Sequence, residues 1–329
     1  DSFINLSVNE TYETENSSTN FKDFRKKHPK SIIIGHLNVN SVRYKFAEIA
    51  DLLQNGFLDI CGLSETKLDE NFTNSQFHVE NFSLYRKDRN GKGGGLLSYI
   101  RSDIPHRRRA DLEYSKNGIE SMIFEVHVKK EKWMVAIVYR PPSVNTDHLY
   151  DAMNHITTAL EQESRTFFIL GDLNVNLLKD NKEKHDFANF LDVYDMSNVI
   201  RSPTCFKGEN PTLIDVILTN SPKRIAESTC IDTGISDFHN MILISTKVQL
   251  PRPVNADIKY RSYKSFNEGK FIVDLEAAPF HVAGIFDDID DAVWFHDTLL
   301  KEVIDRHAPQ KRKRARPNQA KTKSKSLVI

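Results

Sequence analysis

The sequence of 329 residues has few cysteines and no long apolar segment. Its three cysteines, Cys61, Cys205 and Cys230, lie far apart and form no C-x-x-C pair, which argues against a disulfide framework and against a thiolate zinc site. A reducing compartment is therefore expected. No apolar run approaches the roughly 18–20 residues that a membrane-spanning helix needs, so no membrane partner is expected.

The sequence also lacks net charge, because 45 Lys and Arg residues balance 45 Asp and Glu residues. The charges are unevenly distributed: from Arg306 to Lys325 there are nine basic residues and no acidic one, which leaves 36 basic against 45 acidic residues elsewhere. The run Lys311–Arg316 has the composition of a nuclear localisation signal or a nucleic-acid contact, with a solubilising charge run as the alternative. The chain begins with Asp and has no signal segment, so we expect a part of a longer product.

Changes in composition predict four regions. Residues 1–30 are polar and predict a flexible lead-in, whereas residues 31–250 alternate short apolar runs with segments of helical period and predict one compact domain. Residues 251–309 predict a connector with one amphipathic helix at about 291–306, and residues 310–329 form the basic tail.

Several predicted strands are apolar on both faces, among them the run Ile32–Ile34 and the segment Lys132–Tyr139. Strands of this kind lie inside a sheet that is covered on both sides. Helices are predicted after Asn40, which would cap the first of them, after Thr146, and around residues 187–194. The pattern predicts an α/β fold in which two mixed sheets pack together under outer helices, a four-layer αββα sandwich with a short helical C-terminal extension.

Polar side chains recur at the ends of the predicted buried strands. They are Asn38, Glu65, Tyr139, Asp172, Asn174, Asp215, Asp237 and His239. A polar residue ends most strands, so each of them alone is also explained by ordinary strand-end packing. Carboxylates, carboxamides and a histidine gathered at one rim would form a site for a hard cation beside a proton-transfer group.

Six short motifs appear in order along residues 31–250. They are His36-Leu37-Asn38, Ser64-Glu65-Thr66, Tyr139-Arg140-Pro141-Pro142, Gly171-Asp172-Leu173-Asn174, Ile214-Asp215 and Ser236-Asp237-Phe238-His239. With these motifs the sequence resembles the endonuclease/exonuclease/phosphatase superfamily, the fold of apurinic/apyrimidinic endonucleases, deoxyribonuclease I and the endonuclease domains of non-LTR retrotransposons. The segments 139–142 and 213–220 look like the retrotransposon branch, and 305–316 resembles its connector to a reverse transcriptase.

The resemblance implies a role for each of these residues. Glu65 would be the leading ligand of Mg²⁺, with Mn²⁺ as the alternative ion, and Asn38 and Asp237 would bind it directly or through water. Asp172 with Asn174 would orient the attacking water and hold the phosphate. His239, oriented by Asp215, would contact the scissile phosphate either as a proton acceptor or as a charged stabiliser. Tyr139 would donate its phenol to the phosphate, with strand-end packing as the alternative.

Basic residues supply candidate DNA contacts, because DNA affinity depends mostly on phosphate neutralisation. Arg107, Arg108 and Arg109 are predicted in a loop where they would grip the DNA backbone, with a solvated surface cluster as the alternative. Arg140, in the Tyr-Arg-Pro-Pro motif, is the fourth candidate.

Three positions depart from the pattern of the family. Phe238 separates Asp237 from His239, which are usually adjacent, and on a regular strand a bulge would be needed to keep both in the site. Asn40 stands where repair enzymes often have an acid, and Lys67 where many relatives have an aromatic residue.

The resemblance implies a Mg²⁺-dependent endonuclease that nicks one strand of double-stranded DNA in the nucleus and so primes reverse transcription. A reverse-transcriptase segment would then follow in a longer product. One alternative is a phosphatase or phosphodiesterase of the same fold. The other is a catalytically silent DNA-binding remnant of such an element, an alternative that depends on Phe238.

Overall fold

The computed structural model describes residues 21–250 and 257–314, and the chain divides into two units, Asp1–Leu250 and Pro251–Ile329. The strands of the first unit are β1 (Ser31–Asn38), β2 (Ile60–Ser64), β3 (Phe82–Lys87), β4 (Leu96–Arg101), β5 (His106–Arg108), β6 (Glu120–Val128), β7 (Glu131–Tyr139), β8 (Phe167–Asp172), β9 (Ser197–Asn198), β10 (Asp215–Thr219), β11 (Ile225–Ile231) and β12 (Met241–Gln249). Its α-helices are α1 (Phe21–Lys27), α2 (Phe46–Gln54), α3 (Thr146–Glu163) and α4 (Lys182–Val193).

The strands form two six-stranded sheets, with the orders β11-β12-β1-β2-β4-β3 and β5-β6-β7-β8-β10-β9. Both sheets are mixed, since β1 runs parallel to β2 and β7 parallel to β8 while the other pairs are antiparallel. The predicted pair of mixed sheets is thereby confirmed.

Three apolar layers lie between the sheets and helices. Successive side chains of a strand point to opposite faces, so each central strand contributes to two of these layers. In β1, Ile33 packs in the cluster shared with α1 and α2, whereas Ile32 and Ile34 pack in the cluster between the sheets. In β7, Trp133 faces the other sheet and Met134 faces the cluster shared with α3 and α4. The αββα order of layers therefore matches the predicted sandwich.

The predicted flexible lead-in is wrong for residues 21–30. Residues 21–27 form α1, and its Phe21 and Phe24 are buried in the core of the first sheet. Arg25 adds an ion pair with the buried Asp59, at 2.8 Å. Two aromatic residues three positions apart lie on one face of a helix, which explains the packing. The rest of the predicted lead-in, residues 1–20, lies outside the described residues.

The predicted capping role of Asn40 is also wrong, because α2 begins only at Phe46. Asn40 has a left-handed backbone, with φ at 45°, and its N–H donates to Oδ1 of Asn38 at 3.1 Å. The segment between β1 and α2 is therefore an irregular loop at the edge of the sheet.

The second unit contains β13 (Asp257–Arg261), α5 (Glu268–Ala277), α6 (Ile289–His307) and β14 (Gln310–Arg314), and β13 pairs antiparallel with β14. The prediction of a single helix was wrong because the short α5 went unrecognised; its N-cap Asn267 accepts from the N–H of Lys270 at 2.9 Å. Residues 310–314 of the predicted basic tail form β14, and residues 315–329 lie outside the described part. Among the described residues, no helix is both long and apolar enough to cross a membrane.

Candidate active site

The predicted site residues converge where the central strands of the two sheets end. Asn38 and Ser64 are paired at the ends of the parallel strands β1 and β2. Tyr139 and Asp172 are paired in the same way at the ends of β7 and β8. Asp215 begins the antiparallel strand β10 opposite Asp172, which brings a further carboxylate to this edge.

Asn38 links the two sheets through its side-chain amide. Its Nδ2 donates to Oε1 of Glu65 and to Oδ2 of Asp172, both at 2.8 Å. Its Oδ1 accepts from the N–H of Asn40 at 3.1 Å, which fixes the orientation of the amide. Asn38 therefore holds two carboxylates together, and its expected role as a metal ligand, directly or through water, stays a prediction.

Tyr139 is buried and donates its phenolic hydrogen to Oε1 of Glu65 at 2.9 Å. Burial, followed by the negative charges of Glu65 and Asp172, raises the pKa of Tyr139 well above its usual range. The phenol thus stays protonated and donates to Glu65, whereas its expected donation to the phosphate stays a prediction.

The loop that carries Glu65 has an unusual backbone conformation and is held by hydrogen bonds to a neighbouring turn. Glu65 and Lys67 both have φ at 53°, in the left-handed region that non-glycine residues rarely adopt. The N–H of Thr66 donates to the carbonyl of Gly95 at 3.2 Å, and that of Lys67 to the carbonyl of Gly94 at 2.9 Å. The glycine-rich turn therefore fixes the loop that presents Glu65.

Glu120 in turn holds this glycine turn. Its Oε2 accepts from the N–H of Gly95 at 2.7 Å, and its Oε1 lies 2.9 Å from Nη1 of Arg89. Sequence reasoning missed Glu120 and Arg89 as supports of the site, since their contacts join parts of the chain that are distant in sequence. The run of three glycines from Gly93 was the available signal in the sequence.

His239 and Asp215 form the predicted pair, with Nδ1 of His239 at 2.9 Å from Oδ2 of Asp215. One potential ligand atom from each of Asp172, Asp215 and His239 lies within 4.8 Å of the others. His36 is fully buried behind them, with its Nδ1 at 3.9 Å from Oδ1 of Asp215. Burial lowers the pKa of His36 to about 4, so its imidazole is neutral at neutral pH.

The charges of this cluster depend on one another. Burial opposes protonation of His239, but its hydrogen bonds with Asp215 and Cys205 and the charges of Asp215 and Asp172 raise its pKa to about 11. Burial and the neighbouring Asp215 raise the pKa of Asp172. The cluster therefore combines a cationic imidazole with a carboxyl group that takes up protons more readily than an ordinary aspartate.

Asn174 and Arg140 are structural in this conformation. The N–H of Asn174 donates to Oδ1 of Asp172 at 3.0 Å, whereas its Nδ2 donates to the carbonyl of Arg140 at 2.8 Å. The Arg140 side chain is buried, and its Nη1 donates to the carbonyls of Leu173 and Asn174. The predicted DNA contact of Arg140 is therefore wrong, because its guanidinium is occupied by backbone carbonyls. Asn174 positions Asp172 through its backbone.

Asp237 lies at the rim of the site, and its expected role as a metal ligand, directly or through water, stays a prediction. It is exposed, and its Oδ2 accepts from Nζ of Lys45 at 3.1 Å and from Nδ2 of Asn40 at 3.3 Å. The Lys45 ammonium holds the pKa of Asp237 below its usual range. Nζ of Lys67 completes the network by donating to Oδ1 of Asn40 at 2.5 Å. Lys45 and Asn40 therefore hold Asp237 at the rim, and Lys67 holds Asn40.

Phe238 does not displace His239 from the site. Residues 236–238 lie in an irregular segment before β12, so the inserted residue is absorbed without a bulge in a strand. Phe238 is 38% exposed, and Nζ of Lys207 lies 5.6 Å from the centre of its ring. The inserted Phe238 therefore does not prevent His239 from pairing with Asp215 in the site.

Each of the three consecutive arginines forms an ion pair with a glutamate of the same unit. Arg108 donates to both oxygens of the buried Glu113 at 2.7 and 2.9 Å, and Arg109 pairs with Glu163 at 2.8 Å. Arg107 is more exposed but pairs with Glu125 at 2.7 Å. Glu125 lies five residues along β6 from the site edge at Glu120, or about 17 Å at the usual rise per residue. Arg107 and Arg108 therefore lie in β5 and not in a loop, and all three arginines form ion pairs, whereas their contact with DNA stays a prediction.

A family model described as "Endonuclease/Exonuclease/phosphatase family" matches residues 35–237, which is more than half of the chain. The chain therefore belongs to the endonuclease/exonuclease/phosphatase family, whose members are hydrolases that act on phosphodiester bonds. The superfamily recognised from the six motifs is thus confirmed. No curated protein matches the chain.

Several solved structures share the fold. The endonuclease domain of TRAS1, a telomere-specific non-LTR retrotransposon, is similar with a TM-score of 0.54 and 13% identity, over 67% of this chain and 100% of that one. The AP endonuclease LMAP from Leishmania major has a TM-score of 0.57 and 14% identity, over 71% and 91%. The 3′ phosphatase NExo from Neisseria, bound to a product DNA hairpin, has a TM-score of 0.51 and 15% identity, over 66% and 100%.

Nucleases of this fold depend on a divalent metal ion, and the donor set here fits a hard cation. Both hydrogen bonds that the Glu65 carboxylate accepts go to Oε1, so Oε2 has no partner among the described residues. Oδ1 of Asp215 is buried without a hydrogen-bond partner. Glu65, which offers oxygen atoms only, would hold such an ion beside Asp172.

Proposed function

We propose that the protein is a Mg²⁺-dependent DNA endonuclease that nicks one strand by hydrolysis of a phosphodiester bond. One observation carries the proposal: Asn38 joins the carboxylates of Glu65 and Asp172, and Asp172 in turn lies within 4.8 Å of the Asp215–His239 pair. Glu65 as a metal ligand, Asp172 as the group that orients the water, and the cationic His239 as the contact of the phosphate would thus lie in one pocket. The pattern matches what hydrolysis of an anionic ester requires.

Each residue of the pocket has a distinct task in this proposal. Asp172 orients the attacking water and, in its ionised form, takes up the proton that the water loses. His239, kept cationic by Asp215, stabilises negative charge on the phosphate. Tyr139 and Asn38 orient Glu65. A bound Mg²⁺ would neutralise phosphate oxygens and stabilise the leaving oxygen.

Of the two roles left open for His239, the geometry favours that of a charged stabiliser. Its imidazole bonds the buried Asp215, and the resulting pKa of about 11 keeps both ring nitrogens protonated at neutral pH. A protonated imidazole has no acceptor nitrogen. Asp172 is therefore the better candidate for the proton acceptor.

The choice of DNA rests on relatives of the same fold. One of the similar structures is a retrotransposon endonuclease, one is an AP endonuclease, and one holds a DNA hairpin. We propose double-stranded DNA as the substrate, a nick that supplies a 3′-hydroxyl for reverse transcription, and action in the nucleus. Support for the retrotransposon setting comes from the segments 139–142, 213–220 and 305–316.

A supercoiled plasmid tests the proposed activity directly, since one nick converts it to the open-circular form. We expect nicking with Mg²⁺, none with excess chelator, and recovery when Mg²⁺ is restored. Asp172→Ala and His239→Ala should each slow nicking at least about tenfold while the far-UV spectrum stays unchanged. His127→Ala is the control, because this exposed histidine pairs with Glu125 outside the site. Equal rates in the parent and both site variants would overturn the assignment.

Removal of a terminal 3′ phosphate is the second candidate, favoured by the similarity to NExo. The same pocket would act on a phosphomonoester at a DNA end. Comparison of nicking with phosphate release from a duplex that ends in a 3′ phosphate separates the two activities. Faster phosphate release at equal ester concentration would favour the phosphatase. Binding of duplex DNA without either reaction would indicate the silent DNA-binding module.

A further inference from the structure

Two exposed phenylalanines lie on paired backbone segments next to the active site. Among the described residues of the first unit, the exposed large apolar side chains are Tyr44, Leu178, Val193, Phe206 and Phe238. Phe206 and Phe238 are 46% and 38% exposed, and Phe238 precedes His239 in sequence. Neighbouring exposed aromatic residues are uncommon on a soluble surface and mark candidate binding sites.

The pairing of two short segments explains why both rings face outward. Cys205 and His239 form an antiparallel bridge, flanked by hydrogen bonds from Phe206 N–H to the Phe238 carbonyl and from Asn240 N–H to the Thr204 carbonyl, both 2.8 Å. Cys205 is buried, and the His239 side chain is directed to Asp215. The bridge thus places Phe206 and Phe238 opposite each other on neighbouring segments, and both side chains are exposed.

A bridge and hydrogen bonds connect the segments of this pair to the catalytic groups. Cys205 also bridges to Thr212, so the segment 204–206 lies between two neighbours. The hydroxyl of Thr204 accepts from the N–H of Asp215 at 3.1 Å. Every backbone connection of the aromatic pair therefore leads within a few residues to Asp215 or His239.

The charges around the rings suit a polyanion with exposed bases. Nζ of Lys207 lies 5.6 Å from the centre of the Phe238 ring, and Lys45 lies at the rim through its contact with Asp237. Base-stacking aromatic side chains next to cations are the usual means of binding unpaired nucleotides. A fully stacked duplex offers no base face to such rings.

We propose that Phe206 and Phe238, with Lys207, form a stacking platform for an unstacked DNA base beside the phosphate that is cleaved. The inference rests on the proposed function and narrows its substrate class to DNA with a locally unpaired nucleotide, such as a bulge. The inserted Phe238 thus has a role of its own: it supplies half of the platform while His239 stays in the pocket.

Paired short duplexes test the platform, one fully complementary and one with a single unpaired nucleotide. The parent should nick the bulged duplex at least about tenfold faster, and Phe238→Ala should remove about tenfold of that preference, within the range of stacking on one aromatic side chain. Phe238→Trp should keep it. Val193→Ala, which removes another exposed apolar side chain, should leave both rates unchanged. An unchanged preference in Phe238→Ala, or equal loss on both duplexes, would overturn the platform.

A binding assay in chelator separates this inference from the nuclease proposal. The unpaired nucleotide is replaced by 2-aminopurine, whose fluorescence falls when it stacks on a ring. We expect quenching by the parent and a weaker signal with the Phe206→Ala, Phe238→Ala double variant, whose urea unfolding serves as the folding control. Phenylalanine-dependent quenching without nicking in Mg²⁺ would refute the nuclease and retain the platform. Nicking with quenching that does not depend on the phenylalanines would refute the platform alone.

Discussion

Asn38 determines how two carboxylates coexist at the edge of a buried pocket. Its two amide hydrogens are shared between Glu65 and Asp172, each at 2.8 Å. Two carboxylates without such a donor would repel each other, and one of them would take up a proton. At the scale of single residues, the site therefore depends on a neutral side chain as much as on its acids.

Replacement of this amide by a carboxylate tests that dependence. Asn38→Asp removes both donors and adds a negative charge, so we expect a loss of about 2–4 kcal/mol in the free energy of unfolding and a strong loss of nicking. Urea unfolding followed by circular dichroism measures the first effect. Asn210→Asp, in an exposed loop, is the matched control and should change stability by less than about 0.5 kcal/mol. Equal stability of the two variants would contradict the described network.

At the scale of elements, the turn Gly93–Gly95 supports the loop after β2. Gly95 has φ at +88°, and a Cβ there would lie 2.4 Å from Oγ1 of Thr66. Gly208 has a similar φ of +91°, but no atom lies within 4 Å of its Cβ position. A side chain at either position would have the same unfavourable backbone conformation, but only a side chain at Gly95 would also clash with a neighbouring atom.

This difference gives a matched pair of substitutions. Gly208→Ala should cost about 1–2 kcal/mol of stability, from the left-handed backbone alone. Gly95→Ala should cost more, and it should slow nicking at least about tenfold because the loop that carries Glu65 must move. Thermal unfolding and the plasmid assay measure the two effects. Equal stability costs at both positions would show that the turn does not support the loop.

The strand β5 and its ion pairs form a second element, which predicts a dependence of stability on pH. Burial disfavours the charge of Glu113, but the hydrogen bonds from Arg108 and Lys87 lower its pKa below the usual value. A carboxylate with a lowered folded-state pKa stabilises the protein above its unfolded pKa, and this contribution is lost as the pH falls through the folded-state pKa.

Glu113→Gln should therefore reduce the free energy of unfolding by about 1–3 kcal/mol at neutral pH. The difference from the parent should shrink as the pH falls through the lowered pKa of Glu113. Urea unfolding across an acidic pH series provides the measurement, with Glu209→Gln in an exposed loop as the control. A difference that grows on acidification would show that the ion pairs of Glu113 do not stabilise its charged form.

At the scale of the whole molecule, all residues of the pocket lie in the first of the two units. A chain that ends at Leu250 should therefore nick saturating plasmid within about threefold of the full chain. Its affinity for DNA should fall and depend less on salt, because the nine basic residues from Arg306 to Lys325 are missing. Nicking and DNA binding over a salt series check both statements. An unchanged salt slope would exclude a DNA contact by the tail.

The layers of the fold were predictable from the sequence. Ile32–Ile34 and the segment 132–139 are apolar on both faces, so other elements must pack on both sides of the sheets that contain them. The pairing of Asp215 with His239 was predictable only through family resemblance. The position of Asp237 was not, because it depends on Lys45 and Asn40, far away in sequence. Arg140 was misassigned because the motif does not show that its guanidinium bonds backbone carbonyls. Long-range contacts between irregular loops leave no periodic signal.

The central claim is that Glu65, and not Asp237, anchors the metal ion beside Asp172. Titration with Mn²⁺, followed by electron paramagnetic resonance, tests it most directly in the parent and in two isosteric variants. The account predicts that Glu65→Gln weakens Mn²⁺ binding at least about tenfold, and that Asp237→Asn, at the exposed rim, weakens it less than about threefold. Parent-like binding by Glu65→Gln, or the larger loss in Asp237→Asn, would contradict it.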